Sequence, residues 1–137
     1  MTSDKSGTTT DNEAGSQTIL IVEDDEDIST VLVQVLQEET PHAVIHVTDA
    51  MQALQVIHSH KPKLLILNYQ LPDLNGLELA DRLRSIEGLE TVPTLMVSAN
   101  PPPLQEIRQR KITFLRKPFD LSKLLTTIEG LLSEHTG

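Results

Sequence analysis

Apolar residues along this chain fall into two alternating patterns. Thr18–Val22, Ala43–Val47, Leu64–Asn68, Thr94–Ser98 and Ile112–Leu115 are short runs, mostly apolar on both faces. Such runs suit strands buried on both sides of a parallel sheet. Between them, apolar residues recur at helical spacing. Ile28, Val31, Leu32, Val35 and Leu36 form the first stripe, and acidic residues at its start suit a helix N-terminus. The second helix carries Ala50, Ala53, Leu54 and Ile57, with Thr48 as its predicted cap. A third begins at Leu77, shows Leu79, Leu83 and Ile86, and ends near Gly88. A short fourth helix is predicted over 104–110, after Pro101–Pro103. Asp120 caps the last, with Leu121, Leu124, Leu125, Ile128 and Leu132 facing inward. Five strand–helix units joined by short links imply a doubly wound (βα)5 fold of the α/β class, a five-stranded parallel sheet with helices on both faces.

In this architecture ligands bind at the carboxyl ends of the strands. Those ends deliver Glu23 and Asp24, Asn68, Ser98 and Lys117 to one edge. Taken singly, the acidic run reads as a capped helix start and Lys117 as a surface lysine; the case for a site rests on the combination. Oxygen ligands of this kind suit Mg²⁺, and a lysine beside them suits a carboxylate or a phosphoryl oxygen.

Composition narrows the class. The chain has 137 residues, enough for one ordinary domain, and a formal net charge of −9, which argues against a nucleic-acid surface. Without cysteine it has neither disulfides nor thiolate metal sites. No apolar run approaches the length of a membrane span and no signal-peptide pattern is present, so a cytoplasmic location is expected. Residues 1–16 hold almost nothing apolar and read as a flexible tail before a domain over 17–137. His42, His46, His58, His60 and His135 are not clustered in sequence and read as surface or core-edge residues, while Tyr69 is expected at the pocket rim.

Four segments carry a resemblance: ILIVEDD at the first strand, LLILNYQLPDLNG at the third, VSA at 97–99, and KPF at 117–119. In order and spacing the chain resembles the receiver domains of two-component response regulators, from Thr18 to about Glu134. The resemblance implies a flavodoxin-like, CheY-like fold with strand order 2-1-3-4-5, and a non-enzymatic phosphorelay module that meets a histidine kinase or a downstream effector as a monomer or weak dimer. Glu23 and Asp24 match the acidic pair, with Asp24 a direct metal ligand, and Gln70 would offer its backbone carbonyl to Mg²⁺. Ser98 matches the switch hydroxyl, Phe114 the aromatic switch, and Lys117 the pocket lysine, with Lys117–Pro118 a cis peptide.

The departure is central. The position matching the phosphoacceptor aspartate, which is also a metal ligand, is Asn68. An amide is a poor nucleophile and carries no charge, so Mg²⁺ binding is expected to be weak and acyl-phosphate formation absent. Lys117 follows Ser98 by only 19 positions, the usual Gly-Ala turn before the fifth strand is missing, and prolines occupy the start of the fourth helix. The resulting expectation is a stand-alone degenerate receiver acting by phosphorylation-independent contact. Its fixed surface would lie around residues 101–116, with Arg108 and Arg110, and the last helix. Lys117 is expected beside Asp24 or the Asn68 carbonyl. One alternative is a conventional receiver with an engineered Asp-to-Asn change at 68. A flavodoxin-like cofactor protein is another, disfavoured because Glu23-Asp24-Asp25 would repel a phosphate.

Overall fold

The computed structural model describes residues 17–136, with side chains through Ser133. The expected tail over residues 1–16 and the side chain of His135 lie outside the described residues. In chain order the elements are β1 (Thr18–Val22), α1 (Glu26–Glu39), β2 (Ala43–Val47), α2 (Ala50–Val56), β3 (Leu64–Asn68), α3 (Gly76–Arg84), β4 (Thr94–Ser98), α4 (Leu104–Gln109), β5 (Thr113–Arg116) and α5 (Leu121–Thr136). All neighbouring strands are parallel and the sheet order is β2-β1-β3-β4-β5. This is the predicted 2-1-3-4-5 doubly wound sheet.

Alternation along the strands builds two cores. On one face Leu20, Val22, Leu65, Leu67 and Met96 pack with Ala50, Ala53 and Ile57 of the α2 segment, Leu79 and Leu83 of α3, and Ile107 of α4. On the other, Ile19, Ile21, Leu64, Ile66, Leu95 and Val97 pack with Leu32 and Leu36 of α1 and with Leu124, Ile128 and Leu132 of α5. β3 is buried from end to end, so its terminal side chain is positioned by packing on both faces.

Several sequence expectations shift. The α1 stripe is narrower than predicted: Leu32 and Leu36 are buried, but Val31 is 46% exposed. Leu121 of α5 is likewise 41% exposed. Both lie in the amino-terminal halves of their helices and line the cleft described below. Asp49, not Thr48, caps α2, because its carboxylate accepts from the Gln52 N–H at 2.8 Å while the Thr48 hydroxyl is turned to the Gln52 side chain. α3 starts at Gly76 through a capping box between Asn75 and Glu78, and ends at Arg84, leaving Ile86 in the following turn. Asp120 does accept from the Ser122 N–H at the start of α5.

β5 begins one residue later than predicted, and the reason is the turn that precedes it. Ile112 N–H donates to the Ile107 carbonyl and Lys111 N–H to that of Arg108, each at 3.1 Å. This is the pairing of a Schellman motif, which requires a left-handed residue at Lys111. Lys111 has φ +56°. Glycine adopts this conformation without the Cβ penalty. Lys111→Gly is therefore expected to stabilise the domain by about 1 kcal/mol in urea unfolding. A neutral or negative change would show that the turn is unstrained.

Candidate functional site

The site grows from the abrupt end of β1. Val22 closes the apolar run, and Glu23 follows while still inside the fold, only 1% exposed. A carboxylate buried this deeply needs compensation. Its Oε1 accepts from the Lys117 ammonium at 2.8 Å, and its Oε2 accepts from the Asp25 N–H and from Asn68 Nδ2, each at 3.1 Å. Its backbone is held as well: the N–H donates to Val47 O, and the carbonyl lies 2.9 Å from His46 Nε2. Lys117 was expected beside Asp24 or the Asn68 carbonyl. Its ammonium does donate to the Asn68 side-chain carbonyl, at 3.5 Å, but its shorter bond, at 2.8 Å, goes to Glu23, the desolvated carboxylate, rather than to Asp24.

Asn68 is buried at the end of β3. Its Nδ2 donates toward three acceptors: Glu23 Oε2 and Asp24 Oδ1 at 3.1 Å, and the Gln70 carbonyl at 2.9 Å. Two hydrogens serve three oxygens, so one is shared. The neighbouring helix fixes this end of the strand. Gly76 opens α3 directly against it, and a Cβ there would lie 2.6 Å from the Asn68 carbonyl oxygen. Its N–H also donates to the Tyr69 carbonyl at 2.7 Å.

Ser98 ends β4, buried, and lines the same cleft. Its Oγ accepts from the Asn100 N–H at 3.2 Å. Phe114 is half-buried against the core formed with α2, α3 and α4. Tyr69 packs on that same side and does not line the cleft, which corrects the expectation that it shields the rim; β-strand alternation turns it away from Asn68. The cleft itself encloses ≈ 880 Å³. Its polar end is formed by Glu23, Asp24, Asn68, Ser98 and Lys117, and its apolar end by Ile28, Val31, Phe119 and Leu121. The Lys117–Pro118 peptide is cis, as expected.

The four strand ends thus meet as predicted, but their donors and acceptors do not fit a magnesium site as they stand. The three oxygens that converge there, Glu23 Oε2, Asp24 Oδ1 and the Gln70 carbonyl, are each bonded to Asn68 Nδ2. Among the described residues, no group of three or more His, Cys, Asp or Glu side chains is placed to hold a metal.

Two features escaped the sequence reading. Asp73, in the loop after Asn68, reaches across to α2: its Oδ1 accepts from the Ala50 N–H and its Oδ2 from the Met51 N–H, each at 3.0 Å. In sequence it looks like one more turn residue in PDLNG, and nothing local signals a cap on a helix over twenty positions away. Arg110 clamps Asp81 through two bonds of 2.9 Å and Glu106 through one of 2.7 Å. The hydrogen bonds to Asp81, then to Glu106, hold its guanidinium more firmly protonated than usual. Arg108 stays exposed.

With this geometry in hand, comparison is informative. The family profile described as the response regulator receiver domain matches residues 19–129. The chain belongs to the response regulator receiver family. Among its relatives is the polar-differentiation response regulator DivK of Brucella ovis, 28% identical over 122 residues, spanning 87% of this chain and 98% of that protein. A putative response regulator from Chloroflexus aurantiacus superposes with a TM-score of 0.78 at 28% identity, covering 86% of this chain and 98% of that one. The signal receiver domain of an HD domain-containing protein from Pseudomonas fluorescens gives 0.78 at 26%, covering 93% and 94%. As a receiver, the chain is a two-component signalling module, and none of its helices among the described residues is long and apolar enough to cross a membrane.

Burial acts to raise the Asp73 carboxyl pKa, but the N–H groups of Ala50, Met51, Leu74 and Asp73 itself outweigh it, and the group titrates below the ordinary range. A lowered folded-state pKa contributes stability above the unfolded value and loses it as pH falls toward the folded one. Asp73→Asn should destabilise the domain by about 1 kcal/mol at neutral pH, as for loss of a charged cap. The difference from wild type should narrow as pH drops below about 4. Denaturant unfolding at several pH values checks this, and a gap that widens in acid would contradict it.

Proposed function

We propose that this receiver signals by protein contact without aspartyl phosphorylation. One observation carries the reading: the residue at the end of β3 is a neutral carboxamide whose nitrogen is bonded to both acids of the pocket. Phosphoryl transfer to a receiver needs a carboxylate oxygen as nucleophile and electrostatic help for the transferring group. Here Asn68 offers neither. Its nitrogen lone pair is delocalised into the carbonyl, and its oxygen faces Lys117. The nearest carboxylate of comparable burial, Glu23, has both oxygens engaged by donors.

The remaining residues keep the roles that the resemblance implies, with altered weight. Glu23 and Asp24 are the acidic pair, Gln70 the carbonyl beside them, and Lys117 the counter-ion. Ser98 and Phe114 stand at the switch positions. A ligand shifts a conformational equilibrium only by binding one state better than the other. With no phosphoryl group to draw Ser98 inward, its hydroxyl remains on the Asn100 N–H. The domain then presents one dominant surface to its partner, a histidine kinase or a downstream effector, in the cytoplasm and as a monomer or weak dimer. The short α4 and the exposed Leu104 and Arg108 beside it belong to that surface.

Incubation with acetyl phosphate and Mg²⁺ should leave the intact mass of the wild type unchanged, whereas Asn68→Asp should gain one phosphoryl group at residue 68, because Glu23, Asp24, Ser98 and Lys117 are all in place. Phosphorylation of the wild type at residue 68 would overturn the reading. An inert Asn68→Asp would show that the pocket has diverged beyond that one position.

A further inference from the structure

We propose that the carboxamide nitrogen of Asn68 stands in the place of a divalent cation, and that Lys117 fixes its orientation, so that the acidic pocket is closed to metals from within. The inference rests on reading Asn68 as the phosphoacceptor-equivalent residue and deepens it. Loss of a carboxylate ligand only weakens a metal site by subtraction. The geometry here is different, because the amide adds a competitor.

Three oxygens, two from the adjacent Glu23 and Asp24 and one from the loop after β3, converge on one atom. Glu23 Oε2, Asp24 Oδ1 and the Gln70 carbonyl lie 2.9–3.1 Å from Asn68 Nδ2. Two of these are carboxylate oxygens, so their bonds to the amide hydrogens are charge-assisted and stronger than neutral ones. Mg²⁺ dehydrates reluctantly and takes oxygen ligands near 2.0–2.1 Å in octahedral array. To use any of these three oxygens where they converge, it must displace the amide from it.

The obvious escape is rotation of the Asn68 side chain, which would present its oxygen to the ion. Lys117 opposes it. The ammonium lies 3.5 Å from Asn68 Oδ1 and is held in place by its 2.8 Å bond to Glu23. A half-turn of the amide would bring its N–H hydrogens against the ammonium and leave the acids without their donor. The ammonium and the acids therefore select the same orientation from opposite ends of the group. Lys117 is a positioning residue in this arrangement, acting through Asn68.

The two explanations predict opposite orders of affinity. If Asn68 merely lacks a negative oxygen, Asn68→Ala removes its remaining carbonyl too and binds Mg²⁺ no better than wild type. If the amide is the competitor, removing it frees Glu23, Asp24 and the Gln70 carbonyl. Asn68→Ala should then bind Mg²⁺ roughly tenfold more tightly than wild type, corresponding to loss of one or more charge-assisted bonds. Isothermal titration with Mg²⁺ alone, supported by the Mg²⁺-dependence of the melting temperature, reads this directly. Equal or weaker binding by Asn68→Ala would overturn the proposal. Should that variant not fold, the wild type suffices. The side-chain NH2 pair of Asn68 should give two distinct, slowly exchanging NMR signals that Mg²⁺ leaves in place. Signals that collapse, or that shift on addition of Mg²⁺, would overturn it too. Neither failure touches the absence of phosphorylation, which depends on the missing nucleophile and is measured by mass.

Discussion

The buried carboxylate of Glu23 is the constraint on which this molecule's active edge depends. Taking such a group out of water costs several kcal/mol unless donors replace the lost solvent. All three donors come from different places: the turn into α1, the end of β3, and the segment between β5 and α5. Satisfying one charge therefore ties the first, third and fifth βα units together at the sheet edge. Lys117 is held there because it alone among these donors brings the opposite charge. Asn68 is held there because β3 is buried from end to end and α3 starts close against its last residue, at a glycine where a Cβ would lie 2.6 Å from the Asn68 backbone oxygen.

That arrangement also explains why a carboxylate can be exchanged for an amide at this position without cost to the fold. Asp and Asn have nearly the same shape, so the packing around the end of β3 is indifferent to the change. The electrostatics are not. A third carboxylate would face Glu23 and Asp24 across a distance that the amide now spans with hydrogen bonds, and such close like charges call for a cation between them. The amide turns repulsion into attraction and makes the edge self-sufficient. Functional sites generally trade stability for chemistry in this way, since close like charges that bind a ligand also destabilise the fold that holds them.

Much of this was legible in the sequence, for a definite physical reason. Doubly apolar strands and stripes such as Leu32 with Leu36 have strong periodic signatures, and the strand ends follow from where each run stops. The edge residues Glu23, Asp24, Asn68, Ser98 and Lys117 could therefore be placed together before any coordinate was known. What periodicity does not encode is which part of an apolar stripe borders a cleft rather than the core, so Val31 and Leu121 were assigned to the core although they border the cleft. Nor does it encode pairings across the fold. Asp73 capping α2 and Arg110 clamping Asp81 and Glu106 are set by tertiary proximity alone, and both residues look like ordinary surface charges in the one-dimensional pattern. The choice of Lys117 for Glu23 over Asp24 belongs to the same class, because relative burial decides it.

The loop from Tyr69 to Asn75 links these local facts into one mechanical unit. Gln70 contributes its carbonyl to the Asn68 amide, Asp73 grips the first turn of α2, and Asn75 caps α3. The start of the loop is thus anchored to the pocket, its middle to α2 and its end to α3. In a receiver that switches, this loop borders the group whose charge changes. Here it is pinned by its bonds to the pocket amide and to the first turns of two helices. The same logic extends to β4, where the Ser98 hydroxyl is satisfied by its own following turn. An incoming anion or cation must break bonds of this kind before it can make its own, and that lowers the differential binding energy available to shift a population, with the surrounding fold left intact.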